Sequence, residues 1–243
     1  MSRDFWLLAH PDDEIFGIPL WFKKENDTLF HFMVTKPSIR MHESRKLERY
    51  LTDKGFHINV SFSTHEYVDG KVSQCITRNA LLDLISLIRT NRPDRLIALT
   101  FEGGHQDHDY LSELTRLIAS ALHIQFVQVP AYQSTKSGFG FRVMKVPQFP
   151  YVTSFISPRI LVVALRVALI YRSQWKTWLG LLPGILCRYS RFRYRYLVDE
   201  DRLAHNFSNK YLYEKRRRAD SQREKMEIET LITTFRDLLV DES

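Results

Sequence analysis

Two runs of residues in this chain have the composition of a reaction centre: Ala9-His-Pro-Asp-Asp-Glu14 and Gly103-Gly-His-Gln-Asp-His108. Imidazole nitrogens and carboxylate oxygens together hold Zn²⁺ or a similar divalent ion. A catalytic site of that kind keeps three protein ligands and one open position. His10, Asp13 and His108 supply such a set. Asp12, next in the chain to a ligand, is placed as a general base toward water that the ion acidifies, beside a carbonyl that it polarises. His105, held in one tautomer by Asp107 and kept protonated, is placed to stabilise an oxyanion or protonate a leaving amine. Gly103 and Gly104 permit a tight turn and close approach of substrate to backbone. Either run alone reads as well as a turn with a helix cap, since Asp caps and first-turn prolines are common. The pair is what argues for a site.

The elements that must position these runs alternate between strand and helix patterns. Strands are predicted at 5–9, 28–35, 58–63, 96–101 and 124–129. Helices are predicted over 40–55, 72–90 and 109–122. Nearly unbroken apolar strands such as Leu96-Ile-Ala-Leu-Thr-Phe101 suit a parallel sheet covered on both faces. The fold class expected is therefore α/β, an open, mostly parallel Rossmann-like sheet with helices on both faces and a C-terminal extension. In the strand order 3-2-1-4-5, strands one and four are neighbours at the switch point where such folds bind ligands. Both runs follow those strands directly, so they face each other across one crevice. Beyond residue 135 the expectations are an edge strand at 141–146, a helix over 160–171, no secure assignment for 178–196, and an amphipathic helix carrying Ile228, Leu231, Ile232, Phe235, Leu238 and Leu239.

With these residues in view, the chain resembles the PIG-L / LmbE-like deacetylases. These are metal-dependent amidohydrolases that remove acetyl from N-acetylglucosamine-type conjugates. The two runs resemble that family's signature motifs. Arg40 and Glu43 match its Arg-x-x-Glu pattern, Pro93-Asp94 precedes strand four, and Ala168-Leu-Ile-Tyr-Arg-Ser-Gln174 resembles a later family segment. The resemblance covers about residues 4 to 175. It implies metal ligation by His10, Asp13 and His108, the base role for Asp12, and oxyanion or acid duty for His105 supported by Asp107. It implies a zinc hydrolase of linear amides, with Fe²⁺ or Co²⁺ as acceptable ions. The expected partner is an amino-sugar conjugate, phosphate- or lipid-linked among the options. Arg40 is either a contact to substrate phosphate or hydroxyl, or a structural ion pair with Glu43 or another acid. The sequence departs from the family at Ile15-Phe-Gly-Ile-Pro-Leu20, where a glycine-rich turn is usual, and at Gln106, where proline is common. The competing class is a non-catalytic carbohydrate or nucleotide-sugar binding protein of the same fold.

Composition bounds the rest. The chain has 243 residues, with 44% hydrophobic and 26% charged, as expected of a folded protein able to build its own core. The domains expected are a deacetylase-like unit over 1–175 and an extension over 176–243 packed on it. Two cysteines, Cys75 and Cys187, are too few for a disulfide framework, which favours a reducing compartment. The net charge of +7 favours anionic partners without choosing among them. Neither a signal peptide nor a membrane span is read from the sequence. The expected location is the cytoplasm, or the inner face of the membrane through peripheral contact.

Arg188-Tyr-Ser-Arg-Phe-Arg-Tyr-Arg-Tyr196 alternates cations and aromatics. It reads as a platform for a nucleotide diphosphate or lipid-linked sugar, as interfacial docking helped by Trp175, Trp178, Leu181 and Leu182, or as a plain edge strand. Nucleic acid is not expected, since no recognised motif accompanies it. Lys215-Arg-Arg-Arg218 reads as a solvated helix face. His31, His42, His57, His65, His123 and His205 show no ligand spacing. Neither the oligomeric state nor the individual substrate is legible.

Overall fold

The computed structural model describes residues 2–100, 105–134, 141–143, 152–154, 158–189, 192–197, 230 and 233–234. For 132–134, 141–143, 152–154, 182–183, 185–189 and 192–197 the description is of the backbone alone. Gly103-Gly104, the Lys215–Arg218 run and the helix expected around 228–239 lie outside it, apart from isolated positions.

The sheet is built from β1 (Ser2–Leu8), β2 (Asn26–Phe32), β3 (His57–Phe62), β4 (Arg95–Leu99) and β5 (Gln125–Val129), all parallel, in the order β3-β2-β1-β4-β5. Strand β1 explains why the sheet is covered twice. Its side chains alternate faces, so Trp6 and Leu8 point into one core and Phe5 and Leu7 into the other. On the first face α2 (Ser38–Thr52), α6 (Pro158–Ile170) and the buried side of α7 (Trp175–Tyr189) complete the core with Leu47, Val163, Val167, Trp178 and Leu181. On the second, α4 (Arg78–Asn91) and α5 (Gln106–Ala121) contribute Leu81, Leu84, Leu111 and Leu114. Arg95 clamps β4 to β1 through two bonds to the buried Asp4 carboxylate, at 2.7 and 2.6 Å. Arg3 N–H reaches Asp94 Oδ2 at 2.8 Å, which fixes the entry to β4.

Several expectations need correction. The helix expected over 72–90 is two: α3 (Val72–Cys75) and α4, separated because Thr77 turns extended and caps the second through Ala80 N–H at 3.2 Å. Helix α5 begins three residues earlier than predicted, inside the second run, with His105 as its cap. The unassigned stretch holds α7, whose Gly180 and Pro183-Gly184 disguise a continuous helix, and β9 (Phe192–Leu197). That strand is not at an edge: it runs antiparallel between β5 and β8 (Val152–Ser154), so the aromatic and basic segment extends the main sheet. Phe141–Val143 forms β7, paired with β6 (Tyr132–Ser134) in a separate two-stranded sheet. Of the residues expected to help dock at an interface, Trp175 is exposed, whereas Trp178 and Leu181 are buried. Among the described residues no helix is long and apolar enough to cross a membrane.

Candidate metal centre and active site

The first run is delivered by β1. Pairing with β2 continues past the strand, with Met33 and Val34 N–H bonded to Leu8 and Ala9 carbonyls at 3.0 and 2.8 Å, so the chain is straight and fixed up to His10. It then folds tightly: Asp13 N–H donates to the His10 carbonyl at 3.1 Å, opening a short 3₁₀ turn over Asp13–Gly17 that leads into α1 (Ile18–Trp21). The turn requires Asp12 to adopt φ 121°, a region non-glycine residues rarely occupy. Glu14, fully buried, accepts the Asp12 backbone N–H at Oε2 at 3.0 Å and holds that conformation. The one glycine in the turn is Gly17, whose missing Cβ leaves room for the Trp6 ring; a Cβ there would stand 2.1 Å from Trp6 Cη2.

The second run caps and opens α5, at the carboxyl end of β4. Because β4 neighbours β1, His108 arrives beside His10 and Asp13. His10 Nδ1 lies 3.2 Å from His108 Nε2 and 3.5 Å from Asp13 Oδ2, and Asp13 Oδ1 lies 3.2 Å from His108 Nε2. A tetrahedral ion with bonds of about 2.0–2.1 Å to nitrogen and oxygen sets its ligand atoms roughly 3.3–3.4 Å apart. The pairwise approaches are of that size, with one Asp13 oxygen toward His10 and the other toward His108, so the three residues are candidate ligands of one ion. His105 converges on the same rings, and the donor atoms that lie mutually within reach of one ion fall in two groups, His10 with His105 and His108, and His10 with Asp69, His105 and Asp107.

Around His10, Asp13 and His108 the remaining contacts differ from the sequence reading in one respect. Asp107, fully buried, directs its carboxylate to Gly70 N–H at 2.6 Å and Val72 N–H at 3.1 Å, with His10 Nε2 at 3.5 Å. Its tie to His105 is through the backbone: Asp107 N–H donates to His105 Nδ1 at 3.3 Å. That leaves the other nitrogen of His105 to carry hydrogen toward Asp69 Oδ1 at 3.3 Å. Asp69 also meets His10 Nε2 at 3.1 Å. Sequence reasoning missed this residue. Its signal was an acid followed by a glycine, Asp69-Gly70, in the loop at the carboxyl end of the third parallel strand, where ligand-facing residues collect. Gln106 anchors that loop by donating to the Gly70 carbonyl.

The electrostatics follow from burial and from these pairings. Burial alone would depress His10, but the carboxylates of Asp107, Asp13 and Asp69 raise it well above its ordinary range. Burial opposes ionisation of Asp13, yet His108 and His10 hold it well below the carboxylate range. Hydrogen bonds to His10 and His105 do the same for Asp69. Burial pushes Asp12 up, reinforced by the Asp13 charge and opposed by Arg40. Burial likewise lifts Glu14 to about 7.

A cavity of about 180 Å³ is lined by His10, Asp12, Asp13, Asp69 and His105 together with Phe16, Arg40, Gln174, Trp178 and Leu181. Arg40 is not paired with Glu43. Its Nη2 donates to Gln174 Oε1 at 3.0 Å and lies 3.7 Å from Asp69, while its buried Nε finds no hydrogen-bond partner among the described residues. Glu43 instead receives Ser173 N–H at 2.9 Å and its hydroxyl at 2.6 Å. The Arg-x-x-Glu pair on α2 thus grips the Ser173-Gln174 pair directly and holds Gln174 at the cavity.

No family model matches the chain, and no curated protein sequence matches it. Solved structures do. The A40926 pseudoaglycone deacetylase superposes with a TM-score of 0.60 at 12% identity, over 81% of this chain and 97% of that one. A conserved protein of Thermus thermophilus gives 0.59 at 17% identity, over 81% and 94%. The zinc-inhibited form of a teicoplanin deacetylase gives 0.54 at 14%, over 82% and 100%. At these identities the likeness establishes a shared α/β fold.

Proposed function

We propose that the protein is a metal-dependent amidohydrolase that removes an N-acetyl group from an amino-sugar conjugate. The observation that carries this reading is the close approach of His10, Asp13 and His108, with Asp12, held through its backbone, lining the cavity beside them. The likeness in fold to the A40926 pseudoaglycone and teicoplanin deacetylases supports the reaction class, and the resemblance of both motifs to the PIG-L / LmbE-like family supports the amino-sugar substrate.

A divalent ion held by His10, Asp13 and His108 would supply Lewis acidity toward the amide carbonyl and would lower the pKa of a water it binds toward ~7. Zn²⁺ suits the mixed nitrogen and oxygen donors, and Fe²⁺ and Co²⁺ satisfy the same set. Every other role belongs to the chain. His10 presents Nδ1 inward because Asp69 and Asp107 face its Nε2, the arrangement by which carboxylates orient imidazole ligands. Asp12 takes the proton from the attacking water, from a backbone position that Glu14 holds at the cavity. His105, with Nε2–H toward the cavity and Asp69, donates to the oxygen that gains charge as the carbonyl becomes tetrahedral. The proton held by Asp12 goes to the departing amine, and acetate and the free amino sugar leave. Arg40, with an unsatisfied buried donor, and Asp69 face the space for sugar hydroxyl or phosphate groups. The cavity offers the place for the acetamido end of the conjugate.

The test is acetate release from N-acetylglucosamine conjugates by metal-reconstituted protein. The reading predicts release by the wild type and a loss of at least about 10²-fold in Asp12→Asn, the scale of general base contributions. Equal turnover by Asp12→Asn at equal metal content would overturn the assignment of the base.

A further inference from the structure

The outer surface of α6 and α7 is not what a helix facing water carries. Helix α6 buries Ile160, Val163, Ala164, Val167 and Ala168 against the core. Its opposite side is also apolar: Val162, Leu165 and Leu169 are 67%, 43% and 60% exposed. Their spacing of three and then four residues aligns them in one stripe. One turn of 3₁₀ helix later, Trp175 and Leu179, four residues apart on α7, are 56% and 70% exposed. Five of the seven large exposed hydrophobics among the described residues therefore fall within eighteen consecutive positions. Scattered single exposures need no explanation, but this concentration does.

The sequence that carries the stripe is of one sign, and the cations placed beside it point to its partner. From Leu114 to Val198 the chain has twelve Arg and Lys and no Asp or Glu, although it carries 28 acidic residues in all. Within that stretch Arg159 and Arg166 share the outer side of α6 with the stripe, and the exposed Lys176 stands 5.7 Å over the Trp175 ring. A nucleic acid would complement the cations but would leave Val162, Leu169 and Leu179 against water or phosphate. Apolar residues flanked by cations with an interfacial tryptophan match a bilayer with anionic headgroups, where aliphatic side chains enter the acyl boundary and cations meet phosphates.

We propose that the outer faces of α6 and the first turns of α7 dock the protein on an anionic phospholipid bilayer. The same turns of α7 line the cavity with Thr177 and Trp178, so docking brings the cavity to the membrane surface.

The test is co-sedimentation of the full chain with sucrose-loaded vesicles of phosphatidylcholine, with and without phosphatidylserine. Expected is binding that is about tenfold or more tighter with phosphatidylserine, weakens with added salt, and falls about tenfold in the double variant Leu169→Gln, Leu179→Gln. Both positions are exposed, so an unchanged thermal transition in that variant shows that the loss is local. Equal binding to both vesicle types overturns the proposal, as does binding unaffected by the double variant. No vesicle binding also overturns it, including the case where another segment of the chain covers the stripe. Tight binding to an oligonucleotide that the double variant leaves intact, without vesicle binding, would replace it with a polyanion site. Vesicle binding is read without substrate, so its failure and failure of the hydrolytic reading are distinguishable.

Discussion

The backbone N–H of Asp12 donates to Glu14 Oε2 at 3.0 Å, and the residue it restrains has φ 121°. A strained backbone of this kind costs on the order of 1–3 kcal/mol and persists only where neighbours hold it. Glu14 is one such neighbour, so it acts on the reaction through Asp12. Glu14→Ala should lower kcat roughly 10- to 100-fold while leaving metal content near that of the wild type, because a base displaced by about 1 Å loses on that scale. Glu14→Gln keeps an acceptor oxygen and should recover most of the loss. A Gln variant as impaired as the Ala variant would show that Glu14 acts by some route other than the Asp12 N–H.

Arg40 should behave as a binding group. Arg40→Lys keeps the charge but loses the geometry that reaches Gln174, and the expected effect is a rise in KM larger than the fall in kcat. A fall in kcat alone, with KM unchanged, would place Arg40 among the groups that act on the transition state only.

Much of this was legible in the sequence because it rests on short-range patterns. Apolar strands alternating with amphipathic helices carried the strand order, and the strand order carried the meeting of the His10 and His108 runs. What escaped depends on contacts across the fold. Asp69 is an ordinary loop residue until Gly70 and Gln106 lock its loop against α5. Asp107 looks like the natural partner of His105 two residues away, yet on a helix's first turn its side chain points toward the Gly70 and Val72 amides. The stretch 178–196 allowed no secure assignment, because Gly180, Pro183 and Gly184 interrupt the helical pattern, yet α7 runs through them.

Gly17 tests the packing beneath the site. Gly17→Ala puts a methyl into the ring of the fully buried Trp6, and overpacking of this type costs about 1–3 kcal/mol. Urea unfolding should show a lower midpoint with an unchanged slope. An unshifted midpoint would mean that the turn moves freely against β1.

His31 gives a pH-dependent prediction away from the metal ligands. Burial lowers it to about 4, below the ordinary 6.5, and it sits 2.8 Å from the Ser61 hydroxyl. Between those values the unfolded chain binds a proton that the folded chain refuses, so stability is intact above about 6.5 and falls as pH drops toward 4. The loss reaches about 3 kcal/mol at the low end. In His31→Gln the difference in unfolding free energy between about pH 7 and about pH 4.5 should shrink accordingly. The same pH slope in both proteins would remove His31 as its source.

The central claim is that His10, Asp13 and His108 hold one divalent ion, and elemental analysis of purified, zinc-reconstituted protein tests it most directly. The account predicts about one ion per chain in the wild type, nearly none in Asp13→Ala or His108→Ala, and retention in Asp12→Asn. A wild type that takes up no metal, or an Asp13→Ala variant that keeps it in full, would contradict the account.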